Sequence, residues 1–101
     1  MYSHIVMWHL KDNALENNKS ENAQLMKQKL ESMQGKIPGL QSIEIGIDVR
    51  QWNNSADVIQ ISKFTNREAL EAFHSHPNHE AHKPFVREVQ LRSTVVDFEG
   101  G

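Results

Sequence analysis

The chain has no cysteine. That excludes a disulfide framework, a thiolate nucleophile and sulfur-held metal, and it fits a cytoplasmic protein. Long apolar runs are missing too. Nothing approaches the roughly 20 residues that span a bilayer. The start, Met1-Tyr2-Ser3-His4-Ile5-Val6-Met7-Trp8, lacks the basic region and small-residue cleavage site of a secretory leader. No membrane partner is expected. Charge of one sign is scarce, since 11 Lys and Arg against 13 Asp and Glu leave a formal net of −2. The nearest thing to a basic face, Lys83, Arg87 and Arg92, is diluted by acidic neighbours. The electrostatic term that dominates nucleic-acid binding is therefore absent, and no nucleic-acid partner is expected. Three prolines and five glycines leave no linker or low-complexity tract. The whole of 1–101 reads as a single domain. A domain this small buries a modest fraction of its surface, so a second copy would help it.

What is present is patterned. Tyr2 to Leu10 is apolar on both alternating faces around Ile5-Val6-Met7-Trp8, as in a central strand buried on two sides. Asp12 to Ser20 is polar and Asn-rich and reads as a loop. Ala23, Met26, Leu30, Met33 and Ile37 recur at steps of three and four, an amphipathic helix that Gly35 and Lys36-Ile37-Pro38-Gly39 bring to an end. Leu40 to Asp48 carries Ile43, Ile45 and Ile47 on one face. After a polar connection, Asp57 to Phe64 is a third strand, and two strands without an intervening helix imply an antiparallel hairpin. Thr65-Asn66-Arg67-Glu68 reads as a capping box for a helix to about His74, with Ala69, Leu70 and Phe73 inward. Ser75 to Val89 is helical in part, interrupted or restarted at Pro84. Arg92 to Glu99 is the last strand.

The order β-α-β-β-α-β defines an α+β, ferredoxin-like fold: a four-stranded antiparallel sheet with both helices on one face. Strand one is apolar on its other face as well, and nothing remaining in the chain covers that face. A second copy is the economical cover, which predicts a homodimer with an interface of about 1,600 Å² or more.

Several segments together resemble the stress-responsive dimeric α/β-barrel (Dabb) family. They are His4-Ile5-Val6, Gly35-Lys36-Ile37-Pro38-Gly39, Phe64 with Glu68-Ala69-Leu70, His76-Pro77-Asn78-His79, and Val95-Val96-Asp97-Phe98. The resemblance covers essentially the whole chain. It implies a dimeric α/β barrel with a cleft in each subunit between sheet and helices. The family includes stress-response proteins of unsettled activity and a polyketide cyclase that performs an aldol-type cyclisation without a cofactor. More distant relatives of that architecture include small cofactor-independent monooxygenases.

By that resemblance His4 and His79 match two cleft histidines of the cyclase, one polarising a substrate and one handling a proton, as imidazole can near neutral pH. Asp97, on a strand expected beside strand one, would fix one imidazole tautomer. Val6, Trp8, Leu30, Phe73 and His76 are the expected substrate-binding residues. Phe73 and Leu30 stand where the cyclase has tyrosines, and Trp8 replaces a smaller aliphatic residue; these departures argue against the same cyclisation. They leave a simpler proton transfer on a small molecule, a cofactor-independent monooxygenase, or a non-catalytic stress-response dimer or binding protein.

Each residue also has a plainer reading. His76 and His79 can cap a helix, His4 can be a hydrogen-bonded core histidine, and Trp8 can simply pack. Four histidines between His74 and His82 suggest a metal, but the spacing of neighbouring carboxylates is undiagnostic and Pro77 and Pro84 disturb the geometry. No metal site and no cofactor are assigned.

Overall fold

The computed structural model describes residues 1–100. Its elements in chain order are β1 (Tyr2–Leu10), β2 (Asn13–Ala14), β3 (Asn17–Asn18), α1 (Lys19–Glu31), β4 (Leu40–Ile47), β5 (Val58–Phe64), α2 (Arg67–Ser75), α3 (Pro77–Glu80), α4 (Lys83–Val89) and β6 (Gln90–Glu99). The main sheet has the order β4-β5-β1-β6, with every neighbouring pair antiparallel. This is the ferredoxin-like α+β arrangement.

Register decides which side chains share a face. His4 lies opposite Ser62 on β5 and Asp97 on β6, and Trp8 lies opposite Val58 and Ser93. Residues two apart point the same way, so His4, Val6, Trp8 and Leu10 face the helices. There they join Ile43, Ile45, Val58 and Phe64 in a core closed by Ala23, Met26, Leu30, Leu70, Phe73 and Val89. Each fully buried large apolar side chain stabilises the fold by roughly 1.5–3 kcal/mol. No helix among the described residues is long and apolar enough to cross a membrane.

The opposite sheet face carries Ile5, Met7, Ile59, Ile61, Val96 and Phe98. No element among the described residues covers it, and Val96 and Phe98 are about half exposed (50% and 48%). The sheet's two edges differ. Along β4, side chains of α1 and the turn after it stand in for a missing strand. Lys27 Nζ donates to the Ile45 carbonyl (2.7 Å), and the Ile45 N–H donates to Glu31 (3.1 Å). Beyond them the Ile43 N–H donates to Gln34 Oε1 (3.1 Å). The Lys27 ammonium, followed by that backbone N–H, holds the Glu31 carboxyl below its usual range against the opposing effect of burial. Along β6 no such partners occur among the described residues.

Several boundaries differ from the sequence reading. Asp12 to Ser20 is not simply a loop: β2 and β3 form a tight hairpin whose turn residues, Leu15 and Glu16, both have positive φ. Neither residue favours that region, so nothing in the sequence marks the turn. The first helix begins within this stretch, at Lys19. Asn18 caps it in a capping box with Glu21, each side chain bonding the other's backbone N–H. It ends at Glu31, so Met33 and Ile37 reach the core from turns rather than from the helix. The second helix is capped by Asn66, not Thr65: the Asn66 side chain accepts from the Ala69 N–H at 2.8 Å. Pro84 restarts the chain in the first turn of α4, and β6 begins two residues earlier than expected, at Gln90.

Candidate functional site

Phe73 is the centre of the site. It lies on the buried face of α2 with no exposed surface. His4 stands on one side of it, with ring centroids 5.8 Å apart, and His79 stacks on it at 4.3 Å. Both histidines therefore lie on the helix side of the sheet, but in two separate groups that meet at the Phe73 ring.

The first group joins three elements. His4, 5% exposed on β1, donates from Nδ1 to Asp97 Oδ1 on β6 at 2.5 Å. The pairing is a direct result of register, since residues opposed on adjacent antiparallel strands share a face. His74 on α2 packs edge-on against His4 (5.0 Å between centroids), and its Nε2 is 4.0 Å from the other Asp97 oxygen. Burial, then the neighbouring His4, lowers the His74 pKa against the raising influence of Asp97. With Nδ1 donating to Asp97, Nε2 is the ring nitrogen that His4 has left for another partner.

His4, His74 and Asp97 can each offer one ligand atom within 4.8 Å of the others, the one such group among the described residues. Of the His74–His82 run, only His74 takes part. Two donors each about 2.0–2.2 Å from a tetrahedral metal must stand well over 3 Å apart. The 2.5 Å contact between His4 Nδ1 and Asp97 Oδ1 is a hydrogen bond, so those two atoms are not both ligands of one ion.

The second group surrounds a cavity of about 190 Å³ between sheet and helices, lined by Trp8, Leu30, Gln60, His79, His82, Lys83, Val86, Arg87 and Gln90. His79 Nδ1 donates to the His74 carbonyl at 3.2 Å, which leaves Nε2 as the acceptor. Burial is the main cause of a lowered His79 pKa, so the ring is neutral near pH 7. His82 is lowered likewise by burial, with Lys29 and Lys36 adding to the effect. Gln60 on β5 is buried and gives its amide N–H to Ser62. The Gln90 Oε1 atom is buried without a hydrogen-bond partner.

The expected residues thus separate. Trp8, Leu30 and His79 line the cavity; His4 and Asp97 form the pair beyond Phe73. Val6 lies in the core and is not among the cavity-lining residues. His76 caps α3, its Nδ1 accepting from the Asn78 N–H at 3.1 Å. Sequence reasoning assigned no site role to His74, Gln60, Arg87 or Gln90. Polar residues at alternate positions between Val58 and Phe64 on the inner face of β5, Gln60 and Ser62, were the one available signal.

A larger groove of about 570 Å³ lies at the far end of β1, between the α1 start and the β4–β5 connection, and includes none of the expected site residues. Most of its charged groups are engaged with one another: Lys19 lies within 3.6 Å of both Asp12 and Asp57, Asp57 also accepts the Leu10 N–H, and Asp48 accepts the Gln51 N–H. Trp52 at its rim is 64% exposed, with the Arg50 guanidinium 4.9 Å from its ring centroid.

Solved structures share this fold. A dimeric ferredoxin-like protein of unknown function from Thermobifida fusca is 17% identical, with TM-score 0.84 over 98% of this chain and 90% of that one. A dimeric ferredoxin-like protein of unknown function from Bacteroides fragilis is 21% identical, with TM-score 0.78 over 98% and 95%. An antibiotic biosynthesis monooxygenase is 16% identical, with TM-score 0.74 over 100% and 99%. At these identities the likeness concerns the fold. No curated protein sequence matches the chain significantly. The model of the stress-responsive A/B barrel domain (Dabb) matches residues 3–100, and with the order, register and uncovered sheet face described above, the chain belongs to that family.

Proposed function

We propose that the protein is a homodimer that binds a small organic molecule in the His79 cavity of each subunit and moves a proton on it without a cofactor. The observation that carries the reading is the state of His79. Its Nδ1 is tied to a backbone carbonyl, its ring is kept neutral by burial, and its Nε2 is the free acceptor in a cavity with an apolar floor. A general base needs that combination of fixed tautomer, lowered pKa and ligand-sized space. His79 takes the proton from carbon next to a carbonyl. The His4–Asp97 pair lies on the other side of Phe73; with Nδ1 donating to Asp97, His4 offers Nε2 as a second acceptor to a substrate donor that reaches past the ring. The uncovered face around Ile5, Ile59, Ile61, Val96 and Phe98 is the dimer interface, in line with relatives that are described as dimeric.

The test is solvent-deuterium exchange. Small β-keto and phenolic compounds are first screened by thermal shift, since ligands of the native state raise its apparent stability. Those that bind are then followed by NMR in D2O for exchange at carbon. Wild type accelerates exchange, while His79→Phe abolishes it with Tm unchanged. Exchange that survives this substitution refutes the role of His79, and binding without exchange makes the protein a non-catalytic binder. The likeness to an antibiotic biosynthesis monooxygenase favours a second reading, oxygenation of an electron-rich ligand, which is distinguished by O2 consumption. In sedimentation the wild type runs as a dimer at micromolar concentration and Ile61→Glu as a folded monomer. A folded wild-type monomer would overturn the dimer.

A further inference from the structure

The uncovered sheet face carries a pattern that specifies how a second copy sits on it. Alternation and register lay the face out as a grid. At its centre Ile5 on β1 opposes Ile61 on β5, with Glu44 on β4 beyond Ile61 and Val96 on β6 beyond Ile5. In the row on one side of that centre, Lys63 and Phe98 flank Ser3. In the row on the other side, Gly46 and Met7 flank Ile59. Gly46 has no side chain, and a hollow of about 280 Å³ lies there, with Met7 and Ile59 in its lining. Diagonally across the face Phe98 stands 48% exposed. Glu44 and Lys63 are exposed, and neither takes part in an ion pair among the described residues.

We propose that a second copy covers this face with its strands crossed close to a right angle. Phe98 of each subunit then fills the hollow over Gly46 of the partner subunit, and Lys63 pairs with Glu44 of the partner subunit. This rests on the homodimer reading. Packed sheets are either aligned or nearly orthogonal, and the charges choose between the two. With strands about 4.8 Å apart and residues about 3.4 Å apart, Phe98 and Gly46 lie about 10 Å to either side of the Ile5–Ile61 centre. A twofold axis through that centre, at roughly 45° to the strands, exchanges them. The same rotation sets Lys63 over Glu44 of the partner subunit and Met7 over Val96 of the partner subunit. Each contact occurs twice, as an isologous interface requires. Aligned packing fails on the same grid. An axis along the strands buries Glu44 against Val96 of the partner subunit. An axis across them sets Glu44 against Glu44 of the partner subunit. An unpaired buried charge and a like-charge contact are both strongly unfavourable. The hollow also suits its occupant, since a cavity of about 150 Å³ already holds benzene.

The test exchanges charge between subunits. Association is read by sedimentation at low ionic strength, where ion pairs are least screened. Lys63→Glu and Glu44→Lys each create two like-charge contacts across the dimer and should raise its Kd at least tenfold. Mixed in equal amounts, the two variants regain both pairs in the heterodimer alone. The mixture should therefore dimerise nearly as well as wild type. Native mass spectrometry with one variant 15N-labelled should find the heterodimer well above its share under random pairing. A contact between Lys63 and Glu44 within one chain would give no such preference. Phe98→Ala, which empties the hollow, should also weaken the dimer at least tenfold, while Val95→Ala, comparably exposed but on the helix side, should not. All four side chains are exposed, so these changes leave folding intact.

Single charge variants that dimerise like wild type, a mixture as weak as its components, or Phe98→Ala without effect each overturns the crossed arrangement. A dimer that Ile61→Glu separates but that shows no rescue on mixing refutes this arrangement alone. A folded wild-type monomer refutes the dimer itself and the arrangement with it.

Discussion

Asp97 offers the sharpest test of how the first and last strands cooperate. Its carboxylate accepts from His4 Nδ1 at 2.5 Å, across 93 positions of sequence, while the His4 ring is 5% exposed. Asp97→Asn keeps an oxygen in place but removes the charge. Hydrogen bonds to charged groups contribute about 1.5–3 kcal/mol and neutral ones about 0.5–1.5, so the loss is about 1 kcal/mol. The Asp97 side chain is itself 38% exposed, which sets the effect toward the low end through solvent screening. For about 100 residues that corresponds to a Tm lower by roughly 4–8 °C. Asp97→Ala leaves the buried Nδ1–H without a partner and costs more, about 1–3 kcal/mol. Both are measured by thermal and urea unfolding at pH 7.5. In the same samples the histidine 15N shifts report the tautomer: wild-type His4 should be Nδ1-protonated, and Asp97→Ala should mix the two forms. If both variants unfold with wild type and the His4 tautomer is unchanged, Asp97 does not hold His4 and its supporting role is wrong.

Phe73→Ala removes the ring that Phe64, His4, His74 and His79 all contact. It should cost about 3–5 kcal/mol in urea unfolding; a loss under 1 kcal/mol would contradict its central place in the core. Stability should also depend on pH. His74, His79 and His82 have pKa values lowered chiefly by burial, so the unfolded chain binds more protons. The stability they contribute is full above about pH 6.5, the unfolded value, and is lost as pH falls through their lower folded values. Unfolding between pH 7.5 and 5 should show Tm falling with acid, and His79→Phe should flatten part of that slope. Two glycines with φ near +81° separate strain from crowding. Gly35→Ala meets open space and should cost only about 1–2 kcal/mol for its backbone. Gly39→Ala also drives its new methyl into the Ala69 side chain and should cost distinctly more, as unfolding of the pair will show.

The fold was legible because its signals are local and repeat. Alternation in Tyr2–Leu10, the spacing of Ala23, Met26 and Leu30, and the absence of a helix between Leu40 and Phe64 each follow from a period that a short window contains. The β2–β3 hairpin was not legible, because Leu15 and Glu16 occupy positive φ without the Gly or Asn that announces such a turn. At the site, His4 and Asp97 could be joined in advance, since strand order alone brings them to one face. The separation of His79 from His4 could not, because it depends on where the Phe73 ring lies. Arg87 and Gln90 gave no warning either. Polar residues near a strand or helix end are ordinary, and only three-dimensional placement shows that one of their oxygens is buried and unanswered.

The unequal edges of the sheet have a consequence for how copies of this chain can add strand to strand. Lys27, Glu31 and Gln34 already occupy backbone groups of Ile43 and Ile45 that an incoming strand would need at β4. Among the described residues, only the β6 edge lacks such side-chain partners, and it is flanked by exposed Val95, Val96 and Phe98. Two copies joined through β6 would expose only their occupied β4 edges, so such growth stops at two. An open sheet edge is ordinarily an invitation to fibres; here the side chains of one helix and the turn after it convert it into a chain terminator.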